Sequence, residues 1–109
     1  MFSYEEVKTN DAWVDGKPIY RKTVQLGTLP NNGMKNVNHE ILNIDTIMID
    51  TSHSFATDEV YYMPLPFVNT TATACIKVST TKTVIAISTG EDRSDLNGFV
   101  TLLYTKTTD

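Results

Sequence analysis

Along most of its 109 residues the chain changes between apolar and polar side chains at every second position, and helical three-to-four spacing is almost nowhere found. The alternation is cleanest at residues 44–50, where Ile44, Thr46, Met48 and Asp50 fall on one face and Asp45, Ile47, Ile49 and Thr51 on the other, before Ser52-His53-Ser54 breaks it. Near the C-terminus Phe99, Thr101, Leu103 and Thr105 alternate with Val100, Leu102 and Tyr104. Earlier, Ala12-Trp13-Val14 runs into Asp15-Gly16 and Lys17-Pro18, and then into an apolar stretch from Ile19 to Leu26. Asp-Gly between two such runs predicts a hairpin, because the turn needs positive φ that both residues tolerate. Pro18 fits the first position of the second strand, where a missing N–H costs least. In that strand Tyr20, Lys22, Val24 and Leu26 share one face, and the imperfect sorting predicts that one end of the hairpin is exposed.

Turn residues punctuate the rest. Leu29-Pro30-Asn31-Asn32-Gly33 reads as a loop, and residues 36–43 as an ambiguous stretch with room for a short helical turn. Val60-Tyr61-Tyr62-Met63 is a short strand stopped by Pro64-Leu65-Pro66. Residues 73–79 and 83–89 form two strands about the tip Thr80-Thr81-Lys82, residues 90–95 are a polar loop, and the last five residues are expected to fray. About seven or eight short strands and no crossover helix predict an all-β fold, an antiparallel β-sandwich of jelly-roll-like form, in one domain spanning 1–109.

Composition supports this and narrows the chemistry. Thr is the commonest residue and Val and Ile are plentiful, types that fit a pleated, half-buried surface. The net charge of −4, with nine scattered basic residues, argues against nucleic acid as partner. No apolar run approaches the roughly 20 residues of a membrane helix, and no basic-then-apolar leader is visible, so neither membrane insertion nor Sec export is expected. The single Cys75 lies in an apolar stretch and reads as a packed thiol made in a reducing cytoplasm.

Catalytic and metal chemistry lack their residues. One Cys and two His (His39 and His53) cannot fill a structural zinc site, no Gly-rich loop opens a helix, and no nucleophile stands beside a base. The acidic loop 91–98 carries hard oxygen ligands but not the alternating order of a calcium loop, so a solvated turn is the better reading, with Arg93 paired to Asp92 or Asp95 or reaching back into the sandwich. We expect no enzyme activity, no cofactor and no metal. What remains is aromatic. Tyr61 and Tyr62 are adjacent on a strand, so one points inward and one outward, and an outward Tyr near His53 and Asp58 could stack on a sugar ring. Trp13, Tyr20 and Phe99 are the candidates for a subunit interface.

The run Trp13-Val14-Asp15-Gly16-Lys17-Pro18-Ile19-Tyr20-Arg21-Lys22-Thr23-Val24 resembles the TWIDGKPIYRKT signature of bacteriophage virion proteins, a block that closes many tail fibres, appendages and head fibres. Ser88-Thr89-Gly90-Glu91-Asp92-Arg93-Ser94-Asp95 and Val100 to Asp109 are similar to that block's usual close, and Leu26 to Asn32 and Val37-Asn38-His39 to its middle. The resemblance departs at residues 47–72, where a receptor contact would vary. It implies a virion surface module made in the bacterial host cytoplasm. A homotrimer is implied too, with other virion proteins and a host cell-surface glycan as partners. The alternatives are a capsid-bound head fibre or decoration protein without receptor role, and a carbohydrate-binding module. A chain that begins with Met and has no linker makes the last the weaker expectation. The signature residues themselves read as architecture: a hairpin turn, a strand start and a final strand.

Overall fold

The computed structural model describes residues 2–109. Eight strands follow one another: β1 (Val7–Ala12), β2 (Pro18–Thr28), β3 (Met34–Asn38), β4 (Ile44–Thr57), β5 (Tyr62–Pro64), β6 (Ile76–Thr80), β7 (Val84–Thr89) and β8 (Asn97–Lys106), with a single 3-10 turn at Ala72–Ala74. They form a five-stranded sheet in the order β1-β2-β8-β4-β5 and a three-stranded sheet in the order β3-β7-β6. Every neighbouring pair is antiparallel. The fold is the expected β-sandwich. The pairs β2–β8 and β3–β7 nest as in a jelly roll, whereas β4–β5 and β6–β7 are plain hairpins.

The first hairpin forms where Asp-Gly predicts it. Gly16 takes φ +87°, and the turn closes through Trp13 N–H to Lys17 O and Gly16 N–H to Trp13 O, both at 2.9 Å. Asp15 accepts the Lys17 N–H at 3.0 Å, and Pro18 opens β2 opposite Ala12. The β1 strand is mostly exposed.

The core lies between the sheets. Val24 and Leu26 of β2, Val100, Leu102 and Tyr104 of β8 and Ala56 of β4 meet Ile85 and Ile87 of β7 and Ile76 of β6, with Leu29, Leu65 and Leu96 closing the ends. Alternation delivers these residues from most strands, but not from β4. There the register shifts between Ile44 and Ile47, so both can serve the core although they are an odd number of residues apart. The Ser52-His53-Ser54 break is a second irregularity, between Asp50 and Phe55, after which the strand resumes to Thr57. Ser54 Oγ donates to Asp50 O at 2.8 Å and accepts the Thr101 N–H at 3.0 Å, while Thr101 Oγ1 donates to His53 O at 2.7 Å, so the bulge is satisfied rather than loose.

Residues 36–43 hold no helical turn. Asn36 to Asn38 belong to β3, and Glu40 and Asn43 take positive φ in a tight return to β4. His39, 1% exposed, pins that return: Nδ1 accepts the Ile41 N–H at 3.2 Å and Nε2 faces Thr81 O at 3.0 Å, a pairing that assigns the Nε2–H tautomer. The C-terminal residues are tied down rather than frayed, with Thr107 N–H on Asn43 O at 2.8 Å and Tyr20 Oη donating to Asp109 at 2.7 Å.

Two substitutions gauge this packing by urea unfolding. Leu102→Ala is expected to cost about 2–5 kcal/mol, the range for emptying a buried leucine site. A Cβ on Gly90 would meet the carbonyl oxygen of Thr73 at 2.6 Å, main chain that cannot swing aside. Gly90→Ala is therefore expected to cost about 1–3 kcal/mol, whereas Val14→Ala at the open hairpin tip should stay within about 0.5 kcal/mol of wild type.

Candidate functional site

The five-stranded sheet has a second face, turned away from the core. Odd-numbered residues of β8 point to it, and their register partners stand beside them: Phe99 between Gln25 and Phe55, Thr101 between Thr23 and Asp50, Leu103 between Arg21 and Met48. The three-stranded sheet does not cover this face. The N-terminal segment does so in part: Ser3 O accepts the Thr23 N–H at 2.8 Å, and the Phe2 ring lies 4.5 Å from the Arg21 guanidinium and 4.4 Å from the His53 ring. Further toward the β4–β5 turn the face is bare and aromatic. Phe99 stacks on Phe55 at 4.9 Å between ring centres, and Phe55 meets Tyr62 at 6.0 Å, which makes a row across β8, β4 and β5.

The β4–β5 turn stands at the end of this row and is held by short side chains. Asp58 accepts the N–H groups of Val60 at 2.9 Å and Tyr61 at 2.7 Å, bonds that draw its carboxyl below the ordinary value. Thr57 Oγ1 donates to Tyr61 O at 2.9 Å and accepts the Glu59 N–H at 2.8 Å, which keeps Glu59 at φ +76°. Asp58 is thus engaged as a turn former.

The residues expected to bind a ligand are only partly gathered. Tyr62 belongs to the aromatic row. Tyr61 and Tyr62 are both exposed, at 70% and 67%, instead of alternating, because β5 begins at Tyr62 and Tyr61 still lies in the turn. His53 sits on the bulge of β4, where Nδ1 pairs with Asp50 at 2.8 Å and the ring meets Phe2. Of the interface candidates, Phe99 lies on the outer face and Tyr20 on the inner one, stacked 5.9 Å from Tyr104; Trp13 belongs to the hairpin turn. Gln25, Asn97 and Glu59 lie beside the row, to which Phe55 belongs; of these four only Asn97, in the loop 91–98, stands out in the sequence. The signal that could have found Phe55 is the alternation resuming after Ser54.

Side chains of the two signature-like blocks are engaged in internal ties. Lys17 pairs with Asp45 at 2.7 Å, Lys22 donates to His39 O at 2.8 Å, and Thr23 and Thr101 share a hydroxyl contact at 3.0 Å. Arg93 reaches Ala74 O at 2.7 Å and pairs with Glu91 at 3.0 Å, not with Asp92 or Asp95; Asp92 instead accepts from Ser94. Among the described residues no three His, Cys, Asp or Glu side chains group as metal ligands, and no helix is long and apolar enough to cross a membrane.

Glu6 fastens the N-terminal segment to β8. Its carboxylate accepts from the buried Tyr104 hydroxyl and from Lys106, each at 2.7 Å. Burial by itself would raise the Glu6 carboxyl, but these two hydrogen bonds outweigh it and hold the group below its ordinary value. Burial, and then the Glu6 carboxylate, drive the Tyr104 phenol the other way, far above its usual range.

The fold and this face define a small β-sandwich with one aromatic, solvent-open sheet surface. No family model, curated protein or solved structure matches the chain.

Folding lowers the Glu6 carboxyl from its ordinary 4.5, so the native state binds that proton more weakly than the unfolded chain. The contribution of the tie is complete above that value and is lost as pH falls through the lower, folded one. Glu6→Gln should therefore lower stability at neutral pH and flatten part of the acid limb below pH 4.5 in urea titrations. An acid limb identical to wild type would show that the carboxylate carries no such weight.

Proposed function

We propose that this chain is a non-enzymatic surface module of a bacteriophage virion: a trimeric fibre or appendage head domain that attaches to the host surface, with a glycan as ligand. The reading rests on the resemblance of residues 13–24, 88–95 and 100–109 to the signature block of such proteins. One observation carries it further. These two blocks, far apart in sequence, contribute adjacent strands of one sheet, β2 and β8, paired from Tyr20↔Tyr104 to Val24↔Val100. The resemblance therefore covers a structural unit rather than two isolated runs.

The engagement of their polar side chains in internal ties fits an architectural role for the blocks. The stretch where the resemblance lapses, 47–72, contributes β5, the β4–β5 turn and the exposed Val60, Tyr61, Tyr62 and Val68. A common frame carrying a variable aromatic rim is what host recognition asks of such a module. Production in the host cytoplasm suits a chain with one cysteine and no disulfide.

Light scattering of the purified protein should give roughly three times the 12.2 kDa chain mass, and a clean monomer would remove the trimer from this reading. On a printed array of bacterial surface oligosaccharides the protein should bind at least one glycan. A trimer that binds none would favour a capsid-bound component without receptor role.

A further inference from the structure

Independently of the host-recognition reading, we propose that Asn32-Gly33 is a site of spontaneous modification, where the asparagine amide is converted to a carboxylate without an enzyme. The second such pair, Asn97-Gly98, is held inert by the fold.

The chemistry is local and needs only water and hydroxide. A glycine after asparagine leaves its own amide nitrogen uncrowded, since no Cβ stands beside it. With hydroxide taking its proton, that nitrogen attacks the asparagine Cγ. A C–N bond forms, the Cγ–Nδ2 bond breaks and ammonia leaves, which closes a five-membered succinimide. Water then opens the ring. Attack at Cγ leaves an aspartate in the normal main chain, whereas attack at the main-chain carbonyl leaves an isoaspartate whose peptide link runs through Cγ. Either product puts a carboxylate where a neutral amide stood.

The two Asn-Gly pairs are alike in sequence, and the fold separates them. Asn32 and Gly33 are both exposed in the connection between β2 and β3, and the Gly33 N–H makes no hydrogen bond to another described residue. Asn97-Gly98 opens β8 instead. Gly98 is buried, paired with Gly27 of β2 on one side and with Ala56 of β4 on the other. The Leu29 and Leu26 side chains crowd it, at 2.8 and 3.3 Å from where a Cβ would stand. Ring closure there would turn the Gly98 peptide plane out of both ladders, and opening a central strand costs close to the full unfolding free energy.

The consequence falls on a clasp between two loops. Asn32 N–H donates to Glu91 O at 3.0 Å, Gly33 O accepts the Thr89 N–H at 2.9 Å, and Asn31 bridges to Asp92. These contacts join the β2–β3 connection to the end of β7 and the loop that follows it. An isoaspartate inserts a further main-chain carbon between the first two bonds. Either product also adds a negative charge to a stretch that already carries Glu91 and Asp92. The clasp therefore weakens as the protein ages.

The test holds the full chain for weeks in mildly alkaline buffer, with a parallel sample in urea and an unaged control. Trypsin then gives peptides 23–35 and 94–106, which carry one Asn-Gly pair each. In the native sample peptide 23–35 should convert to aspartate and isoaspartate forms, with fragmentation placing the change at Asn32 rather than Asn31, while peptide 94–106 keeps its amide. In urea both should convert. Gly33→Ala should slow the native conversion by about tenfold or more, because the added Cβ crowds the attacking nitrogen. That Cβ meets only Asn31 O, at 3.7 Å, so the variant should keep the wild-type circular dichroism and unfolding midpoint. The acidic fraction of aged protein, isolated by anion exchange, should unfold at a lower urea concentration than fresh protein. Equal conversion of both peptides in the native sample, or none at Asn32, overturns the site. Conversion of Gly33→Ala at the wild-type rate overturns the ring-closure route. An acidic fraction with the fresh midpoint overturns the effect on the clasp.

Discussion

Both long strands of the larger sheet, β2 and β4, depend for one of their ladders on β8, the ten-residue strand that enters last in the chain. Until it is in place the sheet consists of the β1–β2 hairpin on one side and the β4–β5 hairpin on the other, with no main-chain bond joining them. β8 pairs with β2 across nearly the whole chain, and closing that gap costs loop entropy that the burial of β8 must offset. The composition of β8 answers the demand. Val100, Leu102 and Tyr104 are fully buried on its inner side, and on its outer side Thr101 and Thr105 are buried as well, each satisfied by a hydrogen bond to a neighbouring strand or its bulge.

The same centrality explains how the charges of the chain are distributed. Glu6, Lys106 and Tyr104 lock the N-terminal segment to the end of β8, while Tyr20 with Asp109 and Lys17 with Asp45 tie the hairpin to its surroundings. Such exposed or half-exposed pairs each contribute little. Their effect is on geometry: they hold Glu6 and Asp109 against one end of β8 and β2 and keep the hairpin aligned with the strands it must match.

With one end of the sandwich occupied by these ties, the other is free to present side chains to a partner. The β4–β5 turn is short, carries its own hydrogen bonds and projects from the strand that bulges most. A rigid rim beside an aromatic row is a better recognition surface than a mobile loop, since the ordering cost is met during folding. The outer face thus combines a frame fixed by its two neighbouring ladders with a boundary turn held by its own hydrogen bonds.

The sequence by itself determined the all-β class, the hairpin at Asp15-Gly16, the position of Pro18 and the division of β8 into two faces, because each depends on local turn chemistry or on strict period two. It also held the aromatic residues. Only the tertiary structure decided which aromatics meet. The first irregularity of β4 puts Ile44 and Ile47 on the core together, which no alternation rule anticipates, and the second is held by the distant Thr101. The same holds for the separation of Tyr20 from Phe99, for Arg93 turning to Ala74 and Glu91, and for Gln25, Asn97 and Glu59 converging on one ring. These are consequences of which strand lies beside which, a choice made by long-range pairing that leaves no local mark on the chain.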